Sequence, residues 1–213
     1  MPQLTLSLPT SHPRLPRSVA PMRARSGDLP HDGERWMADP RWGGVRALAL
    51  AEPGDVRIVD AAGEAIEAVD AARVALERLS DARVVLDGEW LLAADEGPGL
   101  YIAWDLLWLE GRPLLSRPLS VRRGLLADLR LGAATGPLVA PDALAGDVAD
   151  ALGAVAREGL NGLLLRRRDS AYLPGVRSRL WRTVLPGSPV APPEPRLPIL
   201  AVMQRLPLGG GRT

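Results

Sequence analysis

Two carboxylates stand two residues apart in Val85-Leu86-Asp87-Gly88-Glu89. On an extended strand that spacing puts Asp87 and Glu89 on one face. Such a pair can cap loops, meet arginines or help hold a cation, and without a third carboxylate it does not single out a metal. Trp104 and Asp105 follow inside an apolar run, where the indole is either the wall of a site for a flat ligand or a core residue. The densest cationic stretch contains Arg166, Arg167, Arg168, Arg177, Arg179 and Arg182. On a chain of formal net charge +1, these six residues form either a phosphate-facing surface or a solvated face offset by acidic neighbours. All 26 basic residues are arginine, and there is no cysteine. A side-chain amine or thiol nucleophile is therefore excluded, because a guanidinium stays protonated to about pH 12 and does not attack an electrophile. His12 and His31 both fall in the N-terminal segment and receive no role.

The elements that must position these groups follow from apolar periodicity. Val45–Leu50 and Val56–Asp60, joined by Glu52-Pro53-Gly54-Asp55, predict a hairpin. Ile66, Val69, Ala72, Leu76 and Leu79 recur at helical spacing, predicting a helix over Glu64–Leu79. Arg83–Ala93 and Leu100–Leu109 read as two strands across Asp95-Glu96-Gly97-Pro98-Gly99. Ser120 is the expected cap of a helix running to Leu129, and Asp147–Glu158 reads as a further helix. Gly162–Arg168 and Leu180–Val184 read as closing strands, with Arg166 and Arg168 on one face and Arg167 left to solvent. Strand pairs separated by single helices argue for an α+β fold of antiparallel sheets flanked by helices. Residues 1–32 are Pro-rich and without period, which predicts an extended arm; residues 33–185 form the expected domain and residues 186–213 a Pro/Gly-rich tail. No apolar run reaches the roughly 18 residues of a bilayer span, and the N-terminus lacks a signal-peptide core. A cytoplasmic protein is expected, associated with the nucleoid if DNA is its partner.

Five segments in order resemble the adenylation (nucleotidyltransferase) domain of ATP-dependent DNA ligases, closest to the bacterial end-joining type. They are Asp39–Arg46 (DPRWGGVR), Val85–Glu89, Ala103–Leu107 (AWDLL), Glu158–Arg166 (EGLNGLLLR) and Ser170–Arg182 (SAYLPGVRSRLWR). Pro21-Met22 upstream and Pro118–Arg123 before a Leu-rich helix support it. The resemblance implies a ligase-type, ATP-grasp-like fold, ATP and Mg²⁺ as cofactors, DNA and a repair protein as partners, and a role in DNA repair and recombination. Family ligases continue into an OB-fold domain, and no such domain is expected here.

The resemblance also marks departures. The family lysine that attacks the α-phosphate of ATP, in E-x-K-x-D-G-x-R, falls on Arg41, which is not expected to act. Asp39 stands for the glutamate, Gly43 replaces the aspartate, and Gly44 and Arg46 are retained. The arginine of S-R-N-G becomes Ala61, and the glutamate of E-G-V-V-x-K becomes Asn161, with Arg166 at the lysine. The closing cations are read as Arg182 and a loss at Val184. Fewer carboxylates weaken a hard-cation site, and a missing cation removes charge stabilisation at the α-phosphate. The expected nucleotide-binding residues are Asp39, Arg46, Glu89, Trp104 (the adenine-stacking position), Arg166 and Arg182. The expected DNA-binding residues are Arg168, Arg177 and Arg179, and no metal ligand is assigned. The favoured reading is a catalytically degenerate, ligase-like nucleotide- or DNA-binding protein. The alternatives are an active ATP-dependent DNA ligase and a protein-interaction module with an empty pocket, so enzyme status stays open.

Overall fold

A computed structural model describes residues 14–66, 70–92, 99–132 and 136–190. In chain order the strands are β1 (Arg23–Ser26), β2 (Trp36–Pro40), β3 (Val45–Glu52), β4 (Asp55–Asp60), β5 (Val84–Leu91), β6 (Leu100–Leu109), β7 (Arg112–Pro113), β8 (Leu138–Val139), β9 (Leu163–Arg167) and β10 (Arg177–Val184). The helices are α1 (Asp70–Glu77), α2 (Leu119–Asp128) and α3 (Val148–Arg157). One sheet has the order β1-β10-β9-β2, and the larger runs β4-β3-β5-β6-β7 with β8 added beside β6.

Side chains on a strand alternate between faces, so a strand that is apolar in both phases must be covered on both sides. Strand β3 shows this. Ala47, Ala49 and Ala51 pack with Leu76 of α1 and Leu126 of α2, whereas Leu48 and Leu50 pack with Leu164 and Trp181 of the smaller sheet. The outer face of the smaller sheet, with Trp36, Ala38, Leu163, Leu165 and Val184, is closed by Val148, Ala151, Leu152 and Val155 of α3. The layers are thus helices, large sheet, small sheet, helix. The interior between the two sheets is where β2, β3, β5, β6, β9 and β10 all present side chains.

The antiparallel α+β expectation holds for most pairings, and two short ones, β1 with β10 and β6 with β8, are parallel. Part of the segment expected as an arm belongs to the smaller sheet: β1 pairs with β10, and Met22 beside it is fully buried. Helix α1 is shorter than Glu64–Leu79 because Asp60 captures the chain first. Its Oδ1 accepts from the N–H groups of Ala62 (2.8 Å) and Glu64 (2.9 Å), and Ala65 then bridges Val59. Ser120 is not a cap, since α2 starts at Leu119. The N–H groups of Leu119 and Ser120 donate instead to the carbonyls of Ser170 and Arg168, which satisfies two donors of the first turn. Asp147 does cap α3, its Oδ1 accepting from the Ala149 N–H at 2.7 Å. The turn expected at Asp95–Gly99 and the tail beyond residue 190 lie largely outside the described residues.

Candidate functional site: a cavity between the two sheets

The floor of the inter-sheet space is a set of arginine–aspartate pairs. Asp87 of β5 accepts two hydrogen bonds from Arg46 of β3, Nε to Oδ1 at 2.7 Å and Nη2 to Oδ2 at 2.6 Å. The same Oδ2 accepts the Tyr172 hydroxyl at 2.8 Å, and that hydroxyl takes the Met22 N–H at 2.9 Å. Asp105 of β6 and Arg122 of α2, both fully buried, form a bidentate pair with two contacts of 2.8 Å. The third Arg122 nitrogen donates to the carbonyls of Ser170 and Arg117. Asp39 of β2 accepts from Arg166 of β9 at 2.7 Å. The Nη1 of Arg166 lies 3.6 Å from Asp105 Oδ2 and has no hydrogen-bond partner.

Above this floor a cavity of about 880 Å³ opens, within the range of small-molecule sites. Its back wall carries Glu89 and Trp104. The Glu89 carboxylate accepts the Gly44 N–H. A side chain at Gly44 could not be accommodated, because its Cβ would lie 2.3 Å from the Trp90 carbonyl oxygen, so glycine lets the loop after β2 lie flat on β5. Burial raises the Glu89 pKa above its ordinary value of 4.5, opposed by the backbone N–H groups of Gly44, Gly43 and Trp42 and by the charge of Arg46. Trp104 lines the cavity but is only 6% exposed. The Arg46 guanidinium lies over its ring at 4.9 Å from the centroid and 5.6 Å from that of Trp181.

The rim is arginine without carboxylate. Arg41 Nη1 donates to the Asn161 carbonyl at 3.0 Å, Arg23 Nη2 to the Gly175 carbonyl at 3.1 Å, and Arg177 Nη1 to the Ala24 carbonyl at 3.0 Å. Among the described residues, no carboxylate lies within ion-pair distance of these three. Glu89 is the one carboxylate lining the cavity among them, and no cluster of three or more His, Cys, Asp or Glu among the described residues could hold a metal.

Arg41, Arg46, Glu89 and Trp104 all line this one cavity, and Gly43, Ala61 and Asn161 line it beside them. Other expectations are corrected. Asp39 and Arg166 do not line the cavity: Arg166 has no exposed surface and is spent on Asp39 beneath it. Arg182 is on the wrong face. In β10, Trp181 and Thr183 face the inter-sheet space, while Arg182 stacks on Trp36 at 4.7 Å and Val184 is buried against α3. The cavity position two residues after Trp181 is thus Thr183, not Val184. Arg168, which follows β9, donates Nε to the Glu34 carbonyl at 3.0 Å; it and Arg179 are exposed outside the cavity. Arg177, expected on a DNA face, lines the cavity itself. Arg23 was not anticipated, although Pro21-Met22 pointed to its neighbourhood; parallel pairing with β10 brings it opposite Arg177.

Residues 92–184 match the family described as ATP dependent DNA ligase domain. The multifunctional non-homologous end joining protein LigD of Mycolicibacterium smegmatis is 32% identical over 182 residues, 78% of this chain and 24% of that protein. The multifunctional non-homologous end joining DNA repair protein LigD of Mycobacterium tuberculosis H37Rv is 34% identical over 180 residues, 77% of this chain and 23% of that one. A solved structure of mycobacterial DNA ligase D complexed with ATP and MES superposes with a TM-score of 0.69 at 32% identity, covering 79% of this chain and 60% of that chain. The chain spans about a quarter of the length of the curated relatives it matches. Among the described residues no helix is long and apolar enough to cross a membrane.

Proposed function

The chain belongs to the adenylation domains of ATP-dependent DNA ligases, of the bacterial end-joining type, and on that premise we propose that it binds nucleotide non-covalently, in a DNA repair setting, and does not transfer it. One observation carries this reading: the residue at the position of the family nucleophile, Arg41, faces the cavity and hydrogen-bonds a backbone carbonyl. ATP would supply a phosphoanhydride whose α-phosphorus an amine attacks, and a guanidinium cannot be that amine.

The residues fit the two cofactors unequally. A triphosphate has cationic partners in Arg23, Arg41 and Arg177. A divalent cation does not fit, because Mg²⁺ is bound through carboxylate oxygens and the only lining carboxylate among the described residues, Glu89, is already engaged by a backbone N–H. No step is therefore derived through a metal. Arg168, just after β9, and Arg179, on β10, are exposed and are the residues proposed to meet DNA phosphates. Incubation with α-labelled ATP and Mg²⁺, followed by denaturation, is the test: no labelled protein band is expected, while filter binding of labelled ATP to the folded protein is retained. An acid-labile adduct on the purified chain would show instead an active nucleotidyltransferase.

A further inference from the structure

We propose that the cavity recognises its ligand by the phosphates alone, indifferent to the base and without a divalent cation. This rests on the nucleotide-binding reading above and narrows it to polyphosphate chemistry.

Charge argues first. Arg23, Arg41 and Arg177 each place one nitrogen on a backbone carbonyl. A guanidinium has five N–H donors, so each keeps a donor edge for an anion, and bidentate contact with phosphate oxygens is the geometry such a fork favours. With no carboxylate within ion-pair distance of them among the described residues, these three guanidiniums gain more from an incoming anion than paired ones would.

The base finds no free aromatic face. Trp104, the one aromatic side chain lining the cavity among the described residues, is 6% exposed and has the Arg46 guanidinium over its ring. Arg46 is held there by two short hydrogen bonds to Asp87, itself wholly buried. A purine could take that face only by displacing Arg46, which would strand a buried carboxylate. Mg²⁺ finds a single, already engaged carboxylate, so it cannot bridge ligand and protein; in solution it neutralises the phosphates that the arginines would otherwise contact.

The experiment is calorimetric titration of the purified chain with ATP, GTP and inorganic tripolyphosphate, in EDTA and again in excess Mg²⁺. In EDTA the three are expected to bind within about threefold of one another, and Mg²⁺ to weaken each. Arg23→Ala and Arg177→Ala, on exposed residues and checked by thermal melts for intact folding, are expected to weaken all three by roughly tenfold or more. ATP binding more than about tenfold tighter than tripolyphosphate, binding that requires Mg²⁺, or arginine variants that bind like the parent would each overturn the proposal and leave nucleotide binding standing. No binding of any ligand in either buffer would overturn both.

Discussion

The floor and the rim of the cavity use the same side chain to opposite ends. On the floor, Arg46, Arg122 and Arg166 each meet an aspartate at 2.6–2.8 Å, and the charges are cancelled against carboxylates that are themselves buried. On the rim, Arg23, Arg41 and Arg177 meet only carbonyls. A buried ion pair adds little net stability, yet losing one partner is costly because the other remains charged and desolvated. An exposed, unpaired arginine contributes little to folding and keeps its charge for a ligand. An arginine count alone therefore says nothing about binding; what matters is which guanidiniums have been neutralised from within.

The sharpest test of the floor is Asp105→Ala, which leaves Arg122 unpaired and removes the nearest second carboxylate from Arg166. A loss of about 3–5 kcal/mol in urea unfolding is expected, and a loss below about 1 kcal/mol would mean the floor is hydrated and no different from the rim. Tyr172→Phe should cost less, about 1–2 kcal/mol, since it removes one donor to Asp87 and one acceptor for the Met22 N–H while leaving Arg46 in place.

Glu89 lies between the two regimes. Its folded pKa is raised, mainly by burial, so folding favours the protonated form. The stability it contributes is present at low pH and is lost as the pH rises from its ordinary value of 4.5 through the folded value. Glu89→Gln keeps an acceptor for the Gly44 N–H and removes the charge. Its urea midpoint relative to the parent should rise as the pH is taken upward from 4.5; a constant difference would place the carboxylate effectively in water.

The smallest expected change is Arg41→Lys. Stability should move by no more than about 0.5 kcal/mol, and nicked duplex should not be joined. An amine returns, but Gly43, Asn161 and Thr183 still line the cavity where the ligase pattern has two carboxylates and a cation, and groups that act as a unit recover little one at a time. Comparison with the variant that also carries Gly43→Asp, Asn161→Glu and Thr183→Lys separates nucleophile from environment. Nick sealing by the single variant would show the rim to be a working site.

Local pattern made much of this fold legible. The β3–β4 hairpin, β5, β6 and α3 follow directly from runs such as VRALAL and VRIVD and, for α3, from apolar periodicity over Asp147–Glu158. The convergence of Arg41, Arg46, Glu89 and Trp104 came through motif order. What stayed hidden depended on partners far along the chain. Asp39 and Arg166 are 127 residues apart, and nothing local reveals that each consumes the other. Arg23 reads as part of a Pro-rich arm until its parallel partner on β10 is known. The Arg182 error was one of phase: the alternation starting at Trp181 was available in the sequence, but which phase faces the cavity is set by the core packed on each side.

The parallel pairing of β1 with β10 also orders assembly. The larger sheet is built from residues 45–139 and is complete within one continuous stretch. The smaller sheet joins residues 23–40 to residues 163–184. During synthesis β1 and β2 therefore have no partners until β9 and β10 leave the ribosome, a long-range closure of the kind that slows folding. The cavity lies between the two sheets, so its lining is complete only once β9 and β10 have joined β2 and β1, after every strand of the larger sheet has already been made.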